Sequence, residues 1–229
     1  LPYLVASRII QDFKMSALSA AEIRSLVERN LREAYACQKE NGGFGLWPDS
    51  AYESPFVSAY AVFALLRARS AGHAVDPGRL DLALEYLRSF LRTRPDPGSP
   101  YPPRSWTTTQ AFALYLLALA GHPEPAYNEK LFSGRKSLTL QAKTWLLKAL
   151  HLSGQAEARA IVLREILNLV KITPGSAHFE EEDADDLRWI YSSTVRTTAV
   201  ILQTLLEIGA NDPLLAGAGP EEALEDELG

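Results

Sequence analysis

Apolar residues recur at helical spacing along nearly the whole chain. Ile23, Leu26, Val27, Leu31 and Ala34 follow one another at intervals of one to four, which gathers them on one face of a helix. Just ahead of them, Ser19-Ala20-Ala21-Glu22 spells a capping box, in which hydroxyl and carboxylate each accept from the other's backbone N–H. Asp76-Pro77 opens a second helix of this kind, with Leu80, Leu84, Leu87 and Leu91 along one face. The same periodicity covers residues 54–71, 107–120, 138–152, 155–170 and 194–208. An initial helix is expected over 3–14, and shorter ones over 126–132 and after Asp212-Pro213. So many helices with short connections predict an all-α chain.

Four of these segments stop on glycine: Gly72, Gly121, Gly154 and Gly209, where a helix end calls for a left-handed residue. Residues 109–121 and 197–209 also align without gaps, Ala111 with Ala199, Leu114 with Leu202 and Leu117 with Leu205, a weak internal repeat. Helices of this set are apolar nearly all round, whereas residues 22–40 and 79–94 carry a charged face. Alternation of buried and half-exposed helices predicts an α/α toroid, antiparallel pairs forming an inner and an outer ring, complete or partial. An open α-solenoid is the rival architecture. One stretch breaks the helical pattern. Ala177-His178-Phe179-Glu180 and Leu187-Arg188-Trp189-Ile190-Tyr191 flank an acidic tip, which reads as a small β-hairpin within 177–191.

Composition narrows the function classes. A net charge of −5 disfavours nucleic acid, whose phosphates require a basic face. The longest apolar stretch, residues 111–121, is too short to cross a bilayer. Cys37 is the single cysteine, so neither an intrachain disulfide nor a multi-cysteine metal site is available.

Four features could carry chemistry, and each has a plainer structural explanation. Gln38-Lys39-Glu40-Asn41-Gly42-Gly43-Phe44-Gly45-Leu46-Trp47 is a turn whose Asn-Gly-Gly permits positive φ. Phe44 and Trp47 are expected to anchor the returning chain. Asp183-Ala184-Asp185-Asp186 has the spelling of the acid that protonates alkenes in class II terpene cyclases. However, residues 180–186 are acidic at every position but Ala184, which describes a solvated tip rather than an apolar cavity. A calcium site there would lack the glycine-turned loop such cages use. Cys37 and Gln38 are adjacent, so they cannot form the ring of a Cys-x-x-Gln thioester, and a packed thiol is the expectation. His73, His122, His151 and His178 stand at helix ends or in the hairpin, without a partner at catalytic or ligand spacing. No catalytic, cofactor-binding or metal-binding residue is therefore assigned, and no cofactor is expected.

Several segments together resemble the thioester domain of bacterial α2-macroglobulins, shared with complement thioester proteins. They are Leu1-Pro2-Tyr3-Leu4; the Gln38–Trp47 turn with Ser58-Ala59-Tyr60-Ala61-Val62-Phe63-Ala64-Leu65-Leu66-Arg67-Ala68; Gln110-Ala111-Phe112-Ala113-Leu114-Tyr115; and Ala177-His178-Phe179-Glu180-Glu181 with Ser192-Ser193-Thr194-Val195-Arg196-Thr197-Thr198-Ala199. The resemblance implies a toroid domain over 1–215 and a loosely ordered acidic tail over 216–229. It also implies a piece of a longer protein, beginning just after the family's Cys-x-Glu-Gln motif, so that the reactive pair is not in this chain. The implied function is one domain of a broad-spectrum endopeptidase inhibitor, not itself an enzyme. Its partners would be the parent's other domains and target proteases, in the periplasm or cell envelope. The alternatives are a small toroid enzyme akin to terpene cyclases and prenyltransferases, which needs an aromatic-lined cavity reached by Asp185 or a zinc site, and a helical peptide-binding scaffold.

Overall fold

The computed structural model describes residues 19–94, 103–173, 176–180 and 194–209. The expected helices at 3–14 and after Asp212, the acidic run 181–186 and the expected strand arm 187–191 lie outside the described residues. Among the described residues the helices are α1 (Ala20–Ala36), α2 (Pro55–Ser70), α3 (Pro77–Leu91), α4 (Pro103–Leu119), α5 (Pro125–Ser133), α6 (Leu140–Leu152), α7 (Ala156–Leu167) and α8 (Thr194–Gly209). A 3-10 turn, Arg135–Ser137, precedes α6, and a two-stranded antiparallel sheet follows α7. The fold class is all-α, with one small hairpin.

Local chemistry sets three of the helix starts. The capping box forms as its spelling requires: Ser19 N donates to Glu22 Oε2 at 2.7 Å, and Glu22 N donates to Ser19 Oγ at 3.3 Å. Those bonds to Ser19 pull the Glu22 carboxyl below its ordinary pKa. Asp76 Oδ1 accepts from Arg79 N at 3.0 Å ahead of Pro77, and Thr139 Oγ1 accepts from Ala142 N at 3.1 Å to open α6.

Helix ends follow a shared rule. At α2, His73 N donates to Ala68 O at 3.0 Å and Gly72 N to Arg69 O at 3.1 Å. The same pair of bonds recurs from His122 and Gly121 after α4, and from Gln155 and Gly154 after α6. This is the Schellman motif, and it needs a positive φ at the glycine. Gly72 (82°), Gly121 (90°) and Gly154 (69°) provide it. Gly209 differs, because α8 still includes it.

The chain divides into two units, residues 1–101 with 112–124 and residues 102–111 with 125–229. In the first, α2 packs on α1 and α3, and the expected stripe Leu80, Leu84, Leu87 and Leu91 of α3 is buried. Each such leucine contributes about 1.5–3 kcal/mol of burial. In the second, α6 packs against α5, α7 and α8. Arg135 Nε, donating to Glu165 Oε1 at 2.8 Å, ties the 3-10 turn to α7.

Two expectations need correction. The helix expected over 155–170 ends at Leu167, and Val170–Thr173 is strand β1, paired antiparallel with β2, Ser176–Phe179. Val170, Ile172 and Thr173 are β-branched, a composition that suits a strand better than a last helical turn. The expected arm at 177 is thus a strand, but its described partner lies before it. A hydroxyl of α8 bonds the hairpin. Phe179 N donates to Thr198 Oγ1 at 3.0 Å, and Thr198 Oγ1 donates to Phe179 O at 3.2 Å. Thr198→Val should cost about 1–3 kcal/mol by leaving both groups of a buried residue unpaired. Thr198→Ser should retain most of it, and equal denaturation midpoints for the two variants would contradict the clamp.

The internal repeat is the second correction. Ala111 and Leu114 of α4 are buried, yet their counterparts Ala199 and Leu202 of α8 are exposed. Matching letters do not occupy matching environments.

Candidate functional site

The most constrained feature is the turn between α1 and α2, and it is built from its glycines outward. Gly42 has φ 88°, and a Cβ there would lie 2.1 Å from Leu82 O. A Cβ at Gly43 would meet Glu53 Cγ and Tyr86 Cε2, each at 2.7 Å. The backbone therefore runs directly against α3, at a separation only glycine permits. Asn41 spans the turn: its Oδ1 accepts from Gly43 N at 3.0 Å, and its Nδ2 donates to Glu53 Oε1 at 3.0 Å. Gln38 Nε2 donates to Arg79 O at 2.8 Å and Gly42 O at 3.3 Å, so this carboxamide is engaged in holding the turn to α3. Tyr35 continues the seam, its hydroxyl accepting from Asp76 N at 3.0 Å while the Arg79 guanidinium lies 5.1 Å from its ring centroid.

Phe44 is buried, with its N–H donating to Ser58 Oγ at 2.8 Å and its carbonyl accepting from Ser54 N at 2.9 Å. That half of the expected anchor holds. Trp47 does not anchor anything: it is 65% exposed, beside Leu46 at 61% and near Tyr52 at 83%. The Trp47 N–H donates to Ser50 Oγ at 2.9 Å and its carbonyl accepts from Ser50 N at 3.1 Å, a tight turn that directs the indole outward. The Cys37 thiol belongs to a half-buried residue, whose carbonyl accepts from Gly45 N at 2.9 Å.

The histidines are dispersed. The N–H groups of His73 and His122 close Schellman motifs, as described. His151 Nδ1 lies 3.3 Å from an Arg159 guanidinium nitrogen, a group that can only donate. Burial, and after it the charge of Arg159, pushes the His151 pKa down from its ordinary 6.5. The unfolded chain takes up this proton near pH 6.5 and the folded chain only below that, so acidification through this window favours unfolding. His151→Gln should therefore lose less stability than the parent as the pH falls through 6.5, measured by urea titration. An unchanged slope would contradict the assignment. His178 Nε2 sits 3.1 Å from Glu180 Oε1, and Glu180 also pairs with Lys171 across the hairpin. Lys171, then His178, hold that carboxyl below its ordinary pKa.

Asp183, Asp185 and Asp186 lie outside the described residues. Four aromatic residues of the first unit, Phe56, Tyr60, Phe63 and Phe112, pack on one another. Ring centroids are 4.7 Å apart for Phe56–Tyr60, 5.1 Å for Tyr60–Phe112 and 5.9 Å for Phe63–Phe112. Among the described residues, no group of three His, Cys, Asp or Glu side chains could hold a metal ion, and no helix is long and apolar enough to cross a membrane.

One charged pair went unremarked in the sequence. Lys148 on α6 is buried, its side chain 4% exposed, and its Nζ lies 2.7 Å from Glu207 Oε2 on α8. Nζ is also 5.5 Å from the Trp145 ring centroid. The available signal was a lone charge in the apolar run Trp145-Leu146-Leu147-Lys148-Ala149-Leu150.

Comparison with known proteins places this arrangement in context. No family model matches the chain. It is 38% identical over 106 residues to the "Alpha-2-macroglobulin homolog" of Yersinia pestis, an alignment covering 46% of this chain and 5% of that protein. Its fold matches Salmonella alpha-2-macroglobulin reacted with methylamine, with a TM-score of 0.76 and 24% identity over 90% of this chain and 13% of that one. It matches native alpha-2-macroglobulin from Escherichia coli, spanning domain MG7 to the C-terminus, with a TM-score of 0.74 and 22% identity over 96% of this chain and 33% of that one. The chain spans a small part of each relative. In sequence over those 106 residues, and in fold over most of its length, it is similar to a portion of the bacterial alpha-2-macroglobulins.

Proposed function

We propose that this chain is the helical, thioester-type domain of a bacterial alpha-2-macroglobulin-like endopeptidase inhibitor, with residues 1–215 forming the toroid domain and 216–229 an acidic extension. The observation that carries the proposal is the 38% identity to the Yersinia pestis protein, joined to a fold match over 90% of the chain. The engagement of Gln38 with Arg79 and Gly42 backbone carbonyls supports a structural role for the Cys37-Gln38 pair. The domain is a component of a trap rather than an enzyme. A protease cleaves elsewhere in the parent, the domain moves, and an acyl group shielded until then reaches a nucleophile. Its partners are the parent's other domains and the captured protease, and the setting is the periplasm or cell envelope.

The test uses the full-length parent protein. After treatment with elastase, the parent should migrate faster on a native gel, and elastase should lose activity on a large protein substrate while still cleaving a small peptide. No change in mobility and no protection of the large substrate would refute the inhibitor reading. The isolated chain should incorporate no radiolabelled methylamine at any glutamine, and stoichiometric labelling would overturn the placement of the reactive pair outside it.

A further inference from the structure

Asn41 stands directly before Gly42, whereas Asn30, Asn128, Asn168 and Asn211 precede Leu31, Glu129, Leu169 and Asp212. Asparagine is among the thermally labile residues, because the backbone nitrogen of the following residue can attack its side-chain carbonyl carbon. A following glycine leaves that nitrogen without a side chain in the way. Asn41 is also exposed, so water and hydroxide reach it.

The folded turn opposes this attack at each atom it needs. Gly42 N, the nucleophile, donates to Lys39 O at 2.9 Å. The Asn41 carboxamide is held at both ends, Oδ1 by Gly43 N and Nδ2 by Glu53 Oε1, each at 3.0 Å. Lys39 N donates to Gly43 O at 2.8 Å, inside a bridge between Gln38 and Phe44. Swinging the carboxamide carbon onto Gly42 N therefore requires the turn to open first.

We propose that Asn41 is a modification site gated by the fold: its carboxamide persists while the turn between α1 and α2 is closed, hydrolyses when the turn opens, and leaves a product that keeps it open. In the open turn Gly42 N loses its proton to hydroxide and bonds to Asn41 Cγ. The Cγ–Nδ2 bond breaks, and ammonia leaves with a proton taken from water, which regenerates the hydroxide. Water then splits one of the two imide bonds to Gly42 N, giving either aspartate or its β-linked isomer. The net exchange is water in and ammonia out, with no oxidant and no cofactor.

Neither product fits the closed turn. The new carboxylate has no N–H for Glu53, and like charges would face each other across the 3.0 Å that a hydrogen bond now spans. The β-linked isomer also adds a carbon to the main chain, beside Gly42 and Gly43, which have no space against Leu82 O and Tyr86. The site thus records opening of the seam between α1 and α3, where Gln38 meets Arg79 and Tyr35 meets Asp76. A chain that reacts while open does not re-form that seam.

The parent chain tests the gate. It is held in mildly alkaline buffer, folded in one arm and unfolded in guanidinium chloride in the other, and mass spectrometry of its peptides follows the conversion of amide to acid at position 41. Conversion should be at least about tenfold slower in the folded arm, because its rate follows the population of the open turn. Equal rates in the two arms would overturn the proposal. Asn41→Asp tests the consequence and should lower the urea midpoint. Adding Glu53→Gln, whose amide can donate to the new carboxylate, should restore most of that loss. An unchanged midpoint for Asn41→Asp, or a loss that Glu53→Gln leaves in place, would overturn it as well.

Discussion

Gly42→Ala should destabilise the protein by about 2–4 kcal/mol, the sum of a left-handed backbone penalty and a forced displacement of packed neighbours. The added methyl would lie 2.1 Å from Leu82 O, and a backbone carbonyl within α3 cannot move aside as a flexible side chain would. For a chain of this size the melting temperature should fall by roughly 5–15 °C. Gly72→Ala is the matched comparison. Its φ of 82° is similar, but no atom lies within 4 Å of the added carbon, so only the backbone penalty of about 1–2 kcal/mol remains. The difference between the two variants isolates the contact between turn and α3. A Gly42→Ala protein no less stable than Gly72→Ala would remove that contact from the account.

Glu207→Ala should cost about 2–4 kcal/mol, because it removes the carboxylate that lies 2.7 Å from the buried Lys148 ammonium. Glu207 is itself partly exposed, so solvent softens the penalty below that of a fully enclosed pair. Lys148→Met removes the charge while keeping the volume, and should cost less than Glu207→Ala. The double variant should be no worse than Glu207→Ala alone, as expected for two groups whose main effect is on each other. The measurement is urea denaturation of the three variants beside the parent. Additive losses in the double variant would mean that Lys148 and Glu207 act separately.

These contrasts explain what could be read from the sequence. The capping box at Ser19, the Asp76 cap and the three Schellman glycines depend on residues within one turn of each other, and their spelling is sufficient. The end of α7 was misplaced because the competing state, a strand, is stabilised by Thr198, which is distant in sequence. Trp47 and Phe44 are alike as large aromatics in one turn. Which of them turns inward depends on Ser58 offering its hydroxyl to the Phe44 N–H, and on Ser50 holding the Trp47 backbone. The repeat between α4 and α8 failed for a similar reason, since equal sequence periodicity says nothing of what packs outside it. Lys148 is a lone charge in an apolar run, and the Glu207 carboxylate 2.7 Å from it comes from α8, distant in sequence. For the site, the sequence found the turn and its glycines, but the bonds that fix Gln38 come from α3.

The outward indole of Trp47 and the inward one of Trp145 also make the two units optically distinguishable. Trp47 is in the first unit and 65% exposed, whereas Trp145 is in the second and 8% exposed. Native fluorescence should therefore contain a red-emitting component open to acrylamide quenching and a bluer one protected from it. Changing Trp47, Trp106 and Trp189 to phenylalanine leaves Trp145 as the single indole, whose ring stands beside the Lys148 ammonium. The colour of that emission then reports whether α6 and α8 are still joined, without any added dye.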